Sequence, residues 1–163
     1  MEMKNRSDIA CAIIENNLYM SLASTNGDEC WVSPLYYVID NKFNFYFVSN
    51  VNSVHAQNII KNERVAVTIF NSRLKPEDVN GVQFDGICKV LSIRELPKAI
   101  KLLYSKKTSD LLKLRFNNYL NPFSYLKLTY FRIFKIIPCK VYVLDPDIYE
   151  DDVRIEVNLN DKC

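Results

Sequence analysis

The feature that most constrains the fold is a series of short segments in which apolar and polar residues alternate. Phe43–Ser49 shows it most clearly, because every second residue from Phe43 to Phe47 is a phenylalanine. Alternation with a period of two predicts a strand with one buried face. Similar strands are predicted at 18–24, 30–39, 64–70, 81–92, 128–137 and 140–144. Because tight turns rather than long crossovers join most of these strands, we expect an antiparallel sheet.

Two turn signals lie on either side of the second predicted strand. Thr25-Asn26-Gly27-Asp28 contains the Asn-Gly pair that best fits a type I′ hairpin turn. Asp40-Asn41-Lys42 predicts another tight turn directly before Phe43. Between them, Pro34 cannot donate a ladder hydrogen bond, which indicates a sheet edge, a bulge or a position beside a non-strand group.

Apolar residues at helical spacing predict helices near 7–16, 53–61, 96–104 and 109–117. Strands and helices together predict a mainly β, α+β fold, an antiparallel barrel of six to seven strands with packed helices. One domain is expected over residues 1–146. The remaining stretch, 147–163, is acidic and is expected to add one strand at Val153–Val157.

Charge and apolar content exclude several classes of partner. The formal net charge of +2 predicts no nucleic-acid partner. No run approaches the roughly 18 apolar residues of a transmembrane helix, so no membrane partner is expected. Residues 94–140 hold eleven Lys or Arg against Glu95 and Asp110 alone. We interpret them as solvated helix faces, with a patch for an anionic partner as the alternative.

The five cysteines are widely spaced and contain no CxxC pair. This pattern favours neither a zinc site nor a redox pair. Free thiols in a reducing compartment are the better interpretation, and they predict a cytoplasmic protein.

Catalytic motifs are scarce, because the chain has one histidine, His55. It contains no HExxH, Walker, GxGxxG or GxSxG motif, so we expect no metal site and we name no catalytic residue. His55 follows Ser49 and Ser53, where a strand turns into a helix. Hydroxyls, a ring N–H and helix-end N–H groups are what a phosphate needs. The alternative is that Ser53 only caps the helix and His55 is an exposed turn residue.

Four short motifs together resemble the pyridoxamine 5′-phosphate oxidase-like, FMN-binding split-barrel superfamily. They are Val32-Ser33-Pro34-Leu35-Tyr36-Tyr37, Phe45-Tyr46-Phe47-Val48-Ser49, Ser53-Val54-His55 and Gly81-Val82-Gln83-Phe84-Asp85-Gly86. Their order and spacing match that family over 18–90, and 130–145 is similar to its closing strands. The combination of His55-Ala56-Gln57 with Gly81–Gly86 is closest to a YhbP-like branch.

The resemblance implies a split barrel that forms a homodimer with flavin sites at the subunit interface. It implies that Ser49, Ser53 and His55 bind the FMN phosphate. Val32, Ser33 and Leu35 would supply backbone contacts to the flavin ring, and Gln83 would lie near the cofactor or the dimer seam. By residue chemistry alone, Gln83 is a solvent-facing strand residue or lines a cavity or interface. The implied function is a flavin-dependent oxidoreductase of unknown substrate.

Two positions depart from the family pattern. Trp31 stands where the family often has Arg, and His55 stands where it usually has Lys. Both family residues carry full charge at neutral pH, whereas a histidine is mostly neutral there. A second hypothesis is therefore a non-enzymatic split-barrel module that binds haem, another planar anion, or no cofactor.

Overall fold

A computed structural model of the 163-residue chain describes residues 6–75, 80–104, 130–144 and 154–159. The described helices are α1 (Arg6–Asn16), α2 (Val54–Lys61) and α3 (Leu96–Leu103). The described strands are β1 (Tyr19–Thr25), β2 (Cys30–Tyr36), β3 (Val38–Ile39), β4 (Phe45–Asn50), β5 (Arg64–Phe70), β6 (Gly81–Val90), β7 (Phe131–Leu144) and β8 (Arg154–Val157).

All described strands join one antiparallel sheet in the order β2-β1-β5-β6-β7-β4-β3, and β8 pairs with β7. The sheet curls into a half-barrel with helices packed on it, which confirms the predicted antiparallel α+β fold. β2 and β3 are the last strands at the two ends of the order. The chain segments that carry the predicted site, β2 and β4, therefore approach from opposite ends of the sheet.

Several predicted strands differ from the structure in their extent. The strand predicted at 43–49 begins at Phe45, because Phe43 has φ +54° and lies in the turn before it. The predicted strand at 30–39 divides at Tyr37, whose hydroxyl donates to Ile14 O of α1 at 2.6 Å. The two strands predicted at 128–137 and 140–144 form the single strand β7. Cys139 bulges out of the pairing with β6, so the strand continues through this position instead of ending there. The helix predicted at 109–117 lies outside the described residues.

The first hairpin forms where expected, but its turn is not of type I′. That turn type needs positive φ at both central residues. Gly27 has φ +109°, whereas Asn26 is not in the left-handed region. Instead, Asn26 Oδ1 accepts hydrogen bonds from the backbone N–H groups of Asp28 and Glu29, at 3.0 and 2.9 Å. An Asn side chain can build such a turn without positive φ.

The two faces of the sheet build separate hydrophobic clusters. Phe45 and Phe47 of β4 pack in the larger cluster with α1 and α2 residues. Tyr46, between them, packs in the smaller cluster with the apolar face of α3. Alternation along one strand thus joins three helices to a single sheet, and α2 is fixed on the inner face, where Ala56 and Ile59 are buried.

The prediction of free thiols does not hold for all five cysteines. Cys11 of α1 is disulfide-bonded, whereas Cys30, Cys88 and Cys139 are free. Spacing along the chain carried no sign of this bond, because a disulfide depends on the distance between folded segments rather than on sequence separation. Among the described residues, no helix is long and apolar enough to cross a membrane.

Candidate functional site

The site begins at the turn that joins β4 to α2. Ser53 N donates to Asn50 O at 3.0 Å, and Val51 N donates to Tyr130 O at 2.7 Å. Ser53 occupies the N-cap position, but its hydroxyl donates to Asn50 O at 2.7 Å and does not cap the helix. The interpretation of Ser53 as a simple cap is therefore wrong. The first N–H groups of α2 lack an intrahelical partner, as at any helix start, and Ser53 supplies none.

His55, in the first turn of α2, is the centre of a cluster of three serine hydroxyls. Its Nε2 lies 2.6 Å from Ser49 Oγ and 3.2 Å from Ser53 Oγ. Its Nδ1 lies 3.0 Å from Ser33 Oγ on β2. We call Ser33, Ser49, Ser53 and His55 the serine–histidine cluster. It links β2 and β4, which are not neighbours in the sheet.

The histidine of the cluster is buried and uncharged. His55 is only 8% exposed, so it is not the exposed turn residue that was the alternative interpretation. Burial lowers the pKa of His55 below its ordinary value of 6.5, so the neutral imidazole predominates at neutral pH. One ring nitrogen then donates and the other accepts, and serine hydroxyls can serve either role.

The remaining predicted residues do not lie in the cluster. Val32 and Gln83 are exposed on the opposite, outer face of the sheet and line one groove of about 520 Å³. Small side chains from β1 and β5 form much of its floor: Ser21, Ala23, Ala66 and Thr68. Leu35 is partly buried against the larger core cluster. The predicted residues thus divide between the two faces of the sheet.

Sequence reasoning missed Arg132 of β7. Arg132 is directly opposite Ser49 in the pairing of β4 with β7, so both side chains lie on the same face of the sheet. Its Nη1 donates to Phe131 O at 2.9 Å. Arg132 belongs to the basic stretch 94–140, but local sequence patterns do not reveal its register against Ser49.

An antiparallel half-barrel with helices packed on it is the architecture of the split-barrel class of proteins. The chain belongs to the pyridoxamine 5′-phosphate oxidase family, whose sequence model matches residues 10–136. The resemblance stated from the sequence is therefore confirmed at the level of the family.

Individual relatives are distant. A UPF0306 protein of Pasteurella multocida is 34% identical over 74 residues, which are 45% of this chain and 50% of that protein. The chain thus matches about half the length of this curated relative. A haem-binding protein from Mycobacterium smegmatis superposes with a TM-score of 0.72 at 14% identity, covering 96% of this chain and 59% of that one. An FAD-binding protein from Mesorhizobium loti superposes with a TM-score of 0.63 at 16% identity, covering 86% and 94%. These structural similarities show a shared fold.

Proposed function

We propose that this chain is an FMN-binding flavoprotein, a homodimer that acts as a flavin-dependent oxidoreductase. The observation that carries the proposal is the convergence of three serine hydroxyls on His55 at the N-terminal end of α2. Family membership also supports the proposal. The resemblance implies that Ser49, Ser53 and His55 bind the phosphate, and these three side chains are in contact with one another.

The chemistry of the cluster fits a phosphate monoester. Ser49 offers a hydroxyl donor, and Ser53 offers one when its hydroxyl turns away from Asn50 O. The first turn of α2 offers backbone N–H groups with the positive end of the helix dipole. Each ring nitrogen of His55 is already hydrogen-bonded to serine. A phosphate therefore takes over serine donors, and the imidazole reorganises by exchanging donor and acceptor roles rather than by losing a partner.

The flavin ring belongs, in this proposal, along β2, with the backbone of Val32, Ser33 and Leu35 against it. The outer groove that contains Val32 and Gln83 is the proposed contact with the second copy of the chain. Its small, weakly polar lining suits close approach of another sheet face. Gln83 then lies in the seam between subunits, where it is available to a flavin bound by the partner.

When bound, FMN supplies the redox chemistry. The chain's own residues bind the phosphate, orient the ring and limit the access of water. We assign no substrate and no catalytic side chain.

A haem site finds less support in the geometry. His55 is the only histidine of the chain and so the only imidazole available as an iron ligand. Ligation through Nε2 would break the 2.6 Å contact with Ser49, and ligation through Nδ1 would break the 3.0 Å contact with Ser33. Both ring nitrogens are thus already engaged by serine hydroxyls.

The test is reconstitution of the purified chain with FMN, followed by its visible spectrum and by light scattering. We expect a bound-flavin spectrum and a dimer mass. A Soret band in the purified protein would instead support haem, and a colourless protein that ignores added FMN would support the non-enzymatic module.

The variant His55→Asp sharpens this test. It puts a carboxylate beside the proposed phosphate position, so we expect FMN retention to be abolished. His55→Gln is the matched control, because it keeps a neutral hydrogen-bonding side chain and should retain FMN with weaker affinity. Unchanged FMN affinity in a folded His55→Asp protein would remove the phosphate site from the cluster.

A further inference from the structure

The proposed phosphate site lacks a permanent positive charge within the elements that build it. β2 carries no charged residue, and between Phe45 and Lys61 the single Lys or Arg is Lys61, at the far end of α2. His55 is buried, and its burial disfavours the charged form. A phosphate monoester brings close to two negative charges at neutral pH. The compensating charge must therefore come from another element.

β7 is the described strand hydrogen-bonded to β4 on the side away from β3. In their register Ser49 lies opposite Arg132, and Phe47 lies opposite Phe134. Phe47, Phe134 and His55 share the inner face, since Phe47 stacks on Phe134 and its ring centroid lies 6.3 Å from that of His55. Because directly paired residues point to the same face, Arg132 continues this row beside Ser49.

The guanidinium is held at the same corner as the β4–α2 turn. Arg132 Nη1 donates to Phe131 O, and Phe131 lies opposite Asn50, whose carbonyl oxygen accepts from Ser53. Directly paired residues have Cβ atoms about 5 Å apart, which lies well within the reach of an arginine side chain. A guanidinium has five N–H donors in a planar fork, so it can keep existing hydrogen bonds and still present two N–H groups to an anion.

We infer that Arg132 supplies the permanent positive charge that binds the phosphate of the flavin, and so selects phosphorylated flavins over riboflavin. The inference rests on the proposed function and adds a specificity residue to it. It also accounts for the two departures from the family pattern. Trp31 and His55 lack the charge of Arg and Lys, and a guanidinium on the neighbouring strand replaces that charge from a different position in the chain.

The test measures the dissociation constants of FMN and riboflavin for the wild type and for Arg132→Gln. Hydrogen bonds to charged groups contribute about 1.5–3 kcal/mol. We therefore expect FMN affinity to fall about 10- to 100-fold, while riboflavin affinity changes by less than about 3-fold. Arg132→Lys should recover part of the FMN affinity, because it keeps the charge but loses the fork. Wild-type affinity for FMN should also fall with ionic strength more steeply than that of Arg132→Gln.

The matched control is Lys89→Gln, which removes one positive charge from an exposed ion pair with Glu63. It should leave both affinities unchanged. If Arg132→Gln leaves FMN affinity intact while Ser49→Ala weakens it, the inference about Arg132 is wrong and the proposed cofactor stands. Equal losses for FMN and riboflavin in a folded Arg132→Gln protein would also overturn it, since they would mean a structural role. If the wild type binds neither ligand, the proposed function itself fails.

Discussion

Two buried polar groups flank strand β4, and they are built in opposite ways. Asp40 precedes the strand and His55 follows it, and both are under 10% exposed. The Asp40 carboxylate accepts hydrogen bonds from five donor groups. They are the backbone N–H groups of Lys42 and Asn44, the side-chain amide of Asn44, the Tyr46 hydroxyl and Lys98 Nζ. Within the described part of the chain, the ring nitrogens of His55 contact three serine hydroxyls.

The two groups differ in whether their hydrogen bonds can reverse direction. A carboxylate accepts only, so every donor around Asp40 must keep pointing at it or become unsatisfied. Imidazole and hydroxyl groups both donate and accept, so the partners of His55 can reverse direction when another anion arrives. The Asp40 group therefore fixes the β3–β4 turn, including Phe43 at φ +54°, whereas the serine–histidine cluster is suited to rearrangement on binding.

Charge reinforces the contrast. Burial alone would raise the pKa of Asp40, but hydrogen bonds from Lys98 and Asn44 outweigh it and hold the pKa well below its usual value of 3.8. Burial of His55 has no such compensation, and its pKa falls below 6.5. One group is thus kept ionised by its partners, and the other is kept neutral by its surroundings.

The largest effect is expected for Asp40→Ala. The substitution leaves the buried Tyr46 hydroxyl and the Asn44 amide without their acceptor, which should lower the free energy of unfolding by about 2–4 kcal/mol. Urea denaturation measures it. Asp28→Ala, at an exposed turn position, is the matched control and should stay within about 0.5 kcal/mol. A loss that small for Asp40→Ala would mean that the carboxylate does not organise this turn.

A smaller effect should distinguish the two groups by pH. Folding lowers the pKa of His55, so below its ordinary value of 6.5 the unfolded chain binds a proton that the folded chain does not. Stability should therefore be full above that pH and decline as the pH falls below it. The corresponding loss from Asp40 begins only below 3.8.

Unfolding free energies measured from about pH 7.5 to about pH 5 isolate the contribution of His55 protonation to stability. The chain has one histidine, so the difference between the wild type and His55→Gln across this range reports His55 alone. A difference that does not vary with pH would show that burial does not hold this ring neutral.

Much of the fold could be predicted because alternation is a local signal. Alternation locates β4 and β5, and β5 forms at the predicted 64–70. The prediction of one buried face is wrong for β4, because the smaller cluster around α3 also buries Tyr46, between Phe45 and Phe47. The candidate site depended on non-local geometry. The register and order of strands that are distant in sequence bring Ser33 to Nδ1 of His55. They also turn Val32 away from His55 and place Arg132 opposite Ser49. Local patterns do not specify that register.

The smallest effects test whether the partners of His55 are redundant. Among the described residues, Nε2 has two serine partners, at 2.6 and 3.2 Å, whereas Nδ1 has one, Ser33, at 3.0 Å. Ser33→Ala leaves a buried ring nitrogen unsatisfied and should cost about 1–2 kcal/mol of unfolding free energy.

Ser53→Ala should cost less, about 0.5–1 kcal/mol, because Ser49 remains on Nε2 and the Ser53 hydroxyl does not cap α2. Denaturant unfolding of both variants and of the double variant gives the comparison. If Ser53→Ala cost as much as Ser33→Ala, Nε2 would depend on Ser53 after all. The cluster would then resemble the Asp40 group, in which no donor can be spared, and would be a poor candidate for a site that rearranges around a phosphate.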